Sequence, residues 1–255
     1  MMLRRLALLL LMLAAAAVPA RAERVVAGLS DTVVNIQSNF VGTELTLFGV
    51  IQRDANTVGR AHGYTVVVTV RGPTENLVTR RKDRVAGIWM NTESATFMNV
   101  PSYYAALSSH PISRLPQTGT LKRLQIGLAN LDLEPEEATR PADPAAFREA
   151  LVRRKAAQNL YIEKARAVAM VEPTVFMTRI PLPANIDTGG YRANVYIFAD
   201  GALVGEEQLG FWVMKTGFEA AVFDLALDQP LLYGIAAVIL AVFAGWFAGV
   251  VFRRD

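Results

Sequence analysis

Two histidines, His62 and His110, are the only imidazoles in a chain that has no cysteine. They lie far apart and have no thiol partners, so the common zinc-ligand spacings are absent. His62, beside Gly63, reads as a turn residue, and His110, ahead of Pro111, reads as the stop of the segment "YYAALSS". Ser108-Ser109-His110 supplies hydroxyls and an imidazole, yet sequence neighbours cannot by themselves form a triad, and no Gly-x-Ser-x-Gly elbow accompanies them. No glycine-rich phosphate loop occurs either. The acidic stretch Asp132, Glu134, Glu136 and Glu137 lacks the glycine and oxygen-ligand spacing of a calcium loop and reads as a solvated turn. Met90, Met98, Met170, Met177 and Met214 could offer thioethers to cuprous ion, but they form no Met-x-Met run, and gap-filling methionine is the ordinary reading. The expectation is a protein without catalytic residues, cofactor or metal site, and not an enzyme.

The remaining chemistry is cationic. Arg80, Arg81, Lys82 and Arg84 form the largest dense basic cluster outside the termini, and they fall between candidate strands, which places them on a hairpin loop. Two readings stay open: a solvated loop, or a contact for a small anion or an acidic partner, since guanidinium groups pair bidentately with oxyanions. The overall charge adds nothing to this cluster. Of 26 Lys and Arg, Arg4, Arg5 and Arg21 lie near the start and Arg253 and Arg254 at the end, leaving 21 against 22 Asp and Glu between Glu23 and Pro230, a formal charge of −1. Without a basic field, nucleic-acid binding is not expected.

The two ends of the chain speak of a membrane. Arg4 and Arg5, an apolar core from Leu6 to Val18 and the small-x-small site Ala20-Arg21-Ala22 have the layout of a secretory leader, residues 1–22, with the mature chain beginning at Glu23. A second apolar run, Pro230 to Phe252, is long enough as a helix, at ~1.5 Å per residue, to cross a bilayer's ~30 Å hydrocarbon core. It is followed by Arg253 and Arg254 in the tail 253–255 and preceded by Glu219, Asp224 and Asp228, so positive charge marks its cytoplasmic end. The expected topology is a single pass through the inner membrane over 229–252, with residues 23–228 in the periplasm and the C-terminus in the cytoplasm. Within the span, Ala237, Ala241, Gly245 and Gly249 recur every four residues, a stripe on which another helix could pack closely. The partners expected are therefore the bilayer and another membrane protein or a second copy of the chain.

The elements that must hold these groups are mainly strands. "RVVAGLS", "TVVNIQ", "ELTLFGVI", "YTVVVTVRGP", "RVAGIWMN" and "SATFMN" are short runs rich in Val, Thr and Ile, interrupted by Gly63, Gly72-Pro73 and Asn91. The middle, about 101–172, reads as a helical insertion. "PSYYAALSSHP" and "TGTLKRLQIGLANL" suggest short helices. A longer helix is capped by Asp143 with Pro144 at its first position, and carries Phe147, Leu151, Leu160, Tyr161 and Val168 to a stop near Glu172-Pro173. Strands return in "TVFMTRIPLP", "GYRANVYIF" and "ALVGEEQLGFWVMK", the last two joined by the hairpin signal Asp200-Gly201. Alternation turns Tyr191, Ala193, Val195, Ile197, Leu209, Phe211 and Val213 inward, and leaves an opposite face with Tyr196, Phe198, Trp212 and Met214 that needs a cover. The long helix is the expected cover. The fold class expected is mainly β with helical elaboration (α+β), an immunoglobulin-like β-sandwich with one C-terminal transmembrane helix.

"NFVGTELTLFGVI", "VVVTVRGP" with "RRKDRVAGIWMN", "PSYYA", "IPLPANIDTGGY" and the terminal "YGIAAVILAVFAGWFAGVVFRRD" occur in an order that resembles the alphaproteobacterial putative transmembrane protein family. The resemblance covers nearly all of the mature chain. It implies a leader, a periplasmic domain and a C-terminal anchor, and carries over no activity and no catalytic residues. It also implies an accessory role beside a sulfite-exporter-like permease, near which members of the family are encoded.

Overall fold

The computed structural model describes residues 23–37, 40–53, 63–116 and 119–251. The leader, His62, Arg253 and Arg254 lie outside the described residues.

The described chain is mainly β and builds two facing sheets and a separate ribbon. The four-stranded sheet has the order β1 (Glu23–Leu29), β3 (Gly42–Arg53), β10 (Val175–Pro183), β9 (Val168–Glu172). The six-stranded sheet runs β2 (Val33–Ile36), β12 (Ala202–Lys215), β11 (Gly189–Ala199), β4 (Thr65–Arg71), β7 (Tyr104–Ser108), β8 (Tyr161–Ala165). The ribbon pairs β5 (Thr74–Val85) with β6 (Ile88–Pro101). Period-two alternation sends Leu45 and Leu47 of β3, Val25 of β1 and Phe176 and Ile180 of β10 into the space between the sheets. There they meet Tyr191, Val195, Ile197, Phe211 and Val213, all buried. A Cβ added at Gly205 of β12 would stand 2.9 Å from Val25 Cγ2, which shows how closely the sheets approach there.

The β11–β12 hairpin forms as its sequence indicates. Ala199 pairs with Ala202 across Asp200 and Gly201, both with positive φ (50° and 81°), the backbone that a two-residue turn of this kind demands. Tyr191 lies opposite Phe211 with their rings stacked, centroids 5.1 Å apart.

The middle of the chain departs from expectation. "YYAALS" is not helical: β7 is a strand between β4 and β8, buried at every position. A strand covered on both faces shows no alternation, and a short apolar run of this kind has no period of its own to distinguish it from a helix. Among its described residues the segment that follows contributes α1 (Gly119–Arg123) and single turns at Ile112–Arg114, Leu128–Asn130 and Glu137–Thr139. The long helix is shorter than its sequence suggests. α2 spans Pro144–Ala157, with the Asp143 carboxylate accepting from the Ala146 amide at 3.3 Å. It ends at Asn159, which adopts φ 57°, while the amides of Asn159 and Leu160 donate to the carbonyls of Ala156 and Lys155. That is the double hydrogen-bond pattern of a helix stopped by a left-handed residue. Tyr161 and Val168 consequently belong to strands β8 and β9, so the insertion is not helical throughout.

The outer face of the six-stranded sheet is roofed by the α1 segment rather than by α2. Arg71 donates to the carbonyls of Leu124 and Gln125 at 3.0 and 3.3 Å, and the Tyr104 hydroxyl donates to Gln125 and accepts from the Gly127 amide. Tyr196 and Phe198 are buried on this sheet, whereas Trp212 and Met214 remain half exposed or more. The helix α2 packs instead on β5 and β8. After β12 come α3 (Phe218–Asp228) and α4 (Pro230–Val251), the latter apolar and bare along its length.

Candidate functional site

The cationic run is in a strand, not a loop. Arg80, Arg81, Lys82 and Arg84 lie within β5, because β5 and β6 continue their pairing to Val85 and Ile88 and turn only at Ala86-Gly87. Twelve residues of "TENLVTRRKDRV" lack the apolar alternation of a half-buried strand, since the ribbon is exposed on most of its surface. A bulge interrupts the pairing between Arg81 and Lys82, and the four side chains have different surroundings. Arg81 is structural: it meets Glu93 at 3.1 Å and Asp83 at 3.3 Å, and its guanidinium stands 6.0 Å from the Phe147 ring centroid. Arg84 folds back on the turn, its Nε donating to the Gly87 carbonyl at 3.2 Å.

Arg80 and Lys82 border a groove of about 900 Å³ between β5 and α2, and α2 supplies Arg153 and Arg154 to the same groove. None of these four cations makes an ion pair with a described residue, and all four are exposed. Glu75 is the groove's acidic residue, and it is taken up by Lys155, a buried ammonium that also donates to the Ser102 carbonyl at 3.3 Å. Four cations on two elements therefore face a shared opening that suits an oxyanion or an acidic side chain. Arg153 and Arg154 were not legible as partners of the cluster. Their distance along the chain hides a contact that only the α2–β5 packing creates.

The other candidate chemistry is dispersed. Among the described residues no group of three or more His, Cys, Asp or Glu is placed to hold a metal ion. Met90 and Met98 sit on the ribbon, Met170 and Met177 on the four-stranded sheet and Met214 on β12. The Ser109 hydroxyl oxygen contacts His110 Nδ1 at 3.1 Å but is also the acceptor for the Val66 amide at 3.0 Å, so it caps a backbone donor. Buried phenols are structural as well. Burial pushes Tyr103, Tyr104 and Tyr161 well above the ordinary phenol range, so they stay neutral donors, Tyr103 to Pro181 and Tyr161 to Pro101.

In α4 the residues Ala237, Ala241, Gly245 and Gly249 share one side, and a Cβ built at Gly245 or Gly249 meets nothing within 4 Å. The ridge of Phe243, Trp246 and Phe247 is self-packed, with ring centroids 6.0 and 6.4 Å apart. By length and composition α4 qualifies as a membrane span, with mean hydropathy 2.3 over its best window.

Comparison with individually curated proteins gives no match. Comparison with protein families gives one, described as "Putative transmembrane protein (Alph_Pro_TM)", over residues 24–254. The match runs from the first strand through the apolar helix, and the chain therefore belongs to this transmembrane family.

Proposed function

We propose that the chain is a single-pass inner-membrane protein that carries its β domain on the periplasmic side as an interaction or accessory subunit, and that it is not an enzyme. A membrane transporter, by the family resemblance a sulfite-exporter-like permease, is the partner that fits this reading. One observation supports it most. The α1 segment covers the outer face of the six-stranded sheet except around Trp212 and Met214, whereas among the described residues nothing covers an apolar patch at the centre of the outer face of the four-stranded sheet. There Val26 pairs with Val50, and Phe48 lies across from Gly28 on one side and Met177 on the other. All four side chains are exposed, Phe48 at 51%. An exposed apolar patch, edged by Arg24, Gln52, Thr46 and Arg179, on a domain tethered at a membrane fits a protein partner better than open water. The small-residue stripe of α4 supplies a second surface for a neighbouring helix or a second copy.

The test is photo-crosslinking in intact membranes from Phe48 and, as a control, from Lys122 on α1, which lies over the other sheet and is exposed. Crosslinks from Phe48 to a single integral membrane protein support the reading, and equal yields from both positions contradict it. The groove lined by Arg80, Lys82, Arg153 and Arg154 favours a second reading, a small-anion-binding module. Charge reversal at Arg80 and Arg154 should then abolish sulfite or sulfate binding in calorimetry while leaving the Phe48 crosslink unchanged.

A further inference from the structure

The tip of the β5–β6 ribbon carries a surface that neither a solvated hairpin nor the groove accounts for. Around the turn Ala86-Gly87 stand Val85, Ile88, Trp89 and Met90, exposed at 47%, 67%, 67% and 51%. Side chains of this size are rarely left open together on a tip that has nothing to bind. They are ringed by cations: Arg84 is the cross-strand partner of Trp89, and Lys82 pairs with Asn91 one step further from the turn. Arg80 follows, and the one acidic residue of this half of β5, Asp83, is occupied by Arg81 and by Thr92, whose hydroxyl donates to it at 2.6 Å. The result is a Trp-bearing apolar tip with a basic collar.

The base of the ribbon lies beside the path to the membrane. β4 ends at Arg71, and the turn Gly72-Pro73 leads into β5. A Cβ at Gly189 would stand 3.1 Å from Pro73 Cγ, and Gly189 is paired with Val213, two residues before β12 ends at Lys215 and the chain proceeds through α3 to α4. The ribbon thus leaves the domain from the same end of the six-stranded sheet as the anchor. Its base is tied to the six-stranded sheet, where Pro101 accepts from Tyr161 of β8, and beyond that the ribbon packs on α2 and on the turn Glu137–Thr139. A strand of 12 residues extends roughly 40 Å at ~3.3 Å per residue.

We propose that the ribbon tip is a second, peripheral membrane contact, in which Val85, Ile88 and Trp89 enter the interfacial layer of the bilayer that holds α4 while Lys82 and Arg84 meet anionic lipid phosphates. Trp is at home in that layer, and long cationic side chains keep their charge at headgroup level while their stems follow the apolar tip. Two weak contacts with one surface reinforce each other, because the anchor already holds the tip at high local concentration. The domain is thereby fixed in orientation instead of swinging on a single helix. The inference rests on membrane anchoring by α4 and not on the identity of any protein partner.

The absence of cysteine makes the test direct. The full chain bearing I88C, labelled with an environment-sensitive fluorophore, is placed in nanodiscs of phosphatidylethanolamine and phosphatidylglycerol, with E172C on β9 as control. The tip label should shift its emission to shorter wavelength, be quenched by nitroxides carried on lipid acyl chains, and be shielded from aqueous iodide, while the control does none of these. Combining I88C with K82E and R84E should reverse the shift, as should discs of phosphatidylcholine alone in part. A tip label open to iodide overturns the proposal. A label shielded from iodide but untouched by lipid nitroxides also overturns it, because it assigns the tip to protein, in this preparation a second copy of the chain.

Discussion

The ammonium of Lys155 on α2 and the carboxylate of Glu75 on β5 form an ion pair across the floor of the cationic groove. Lys155 is the buried partner, with its side chain 10% exposed against 34% for Glu75. Removing the carboxylate strands a buried charge, whereas removing the ammonium leaves a carboxylate that water can reach. Glu75→Gln should therefore cost about 2–3 kcal/mol and Lys155→Met about 1 kcal/mol, discounted for the partial exposure of Glu75. Denaturation of the two variants checks the order, and equal costs would contradict it.

Phe211 is almost fully buried and stacks on Tyr191 between the sheets. Phe211→Ala should lower stability by about 3–5 kcal/mol through lost burial and the cavity left behind. An unchanged thermal midpoint would remove Phe211 from the core.

Gly49 lies directly under the Phe176 ring, which occupies the place where a Cβ would go. Gly49→Ala should cost about 1–3 kcal/mol, because the ring has to move within a packed interior. Gly87→Ala at the ribbon turn provides the contrast: its Cβ would meet no atom within 4 Å, and only its φ of 85° opposes the change. The measurement is again the thermal midpoint.

Asp83 is held below the ordinary carboxylate range first by the Thr92 hydroxyl and then by Arg81. A carboxyl whose folded value is depressed adds stability above its unfolded value, and that stability is lost as pH falls through the folded one. Order in the outer half of the ribbon should accordingly weaken only in acid. Carboxyl resonances followed by NMR should place the Asp83 midpoint below that of an unperturbed aspartate, and Thr92→Val should raise it.

The hairpin at Asp200-Gly201, the inward face of β11 and β12 and the α4 span were legible because each is a local pattern: turn chemistry, period-two alternation and an unbroken apolar run. Strand β7 was not, because burial on both faces erases alternation and leaves "YYAALS" without a period. Asn159 carried the stop signal of α2, but the apolar spacing of Leu160, Tyr161 and Val168 ran past it and suggested one long helix. The basic cluster was visible as composition, while its place in a strand depended on the pairing of β5 with β6. The groove it shares with Arg153 and Arg154 depends on α2 docking beside β5, a contact between segments some seventy residues apart.

The stripe of Ala237, Ala241, Gly245 and Gly249 is open to solvent or lipid along α4. Gly245→Ile and Gly249→Ile should abolish association in the membrane while insertion of the helix persists. Crosslinking of the variant chains measures this, and undiminished association would make α4 a plain anchor.

Whether this transmembrane chain works as a subunit is decided by its mass when it is extracted with its surrounding lipid and kept native. A defined complex is expected, in which the chain is joined to a different integral membrane protein at fixed stoichiometry. Phe48→Glu should release the chain from that complex without releasing it from the membrane. A lone monomer in the native extract would contradict a subunit role.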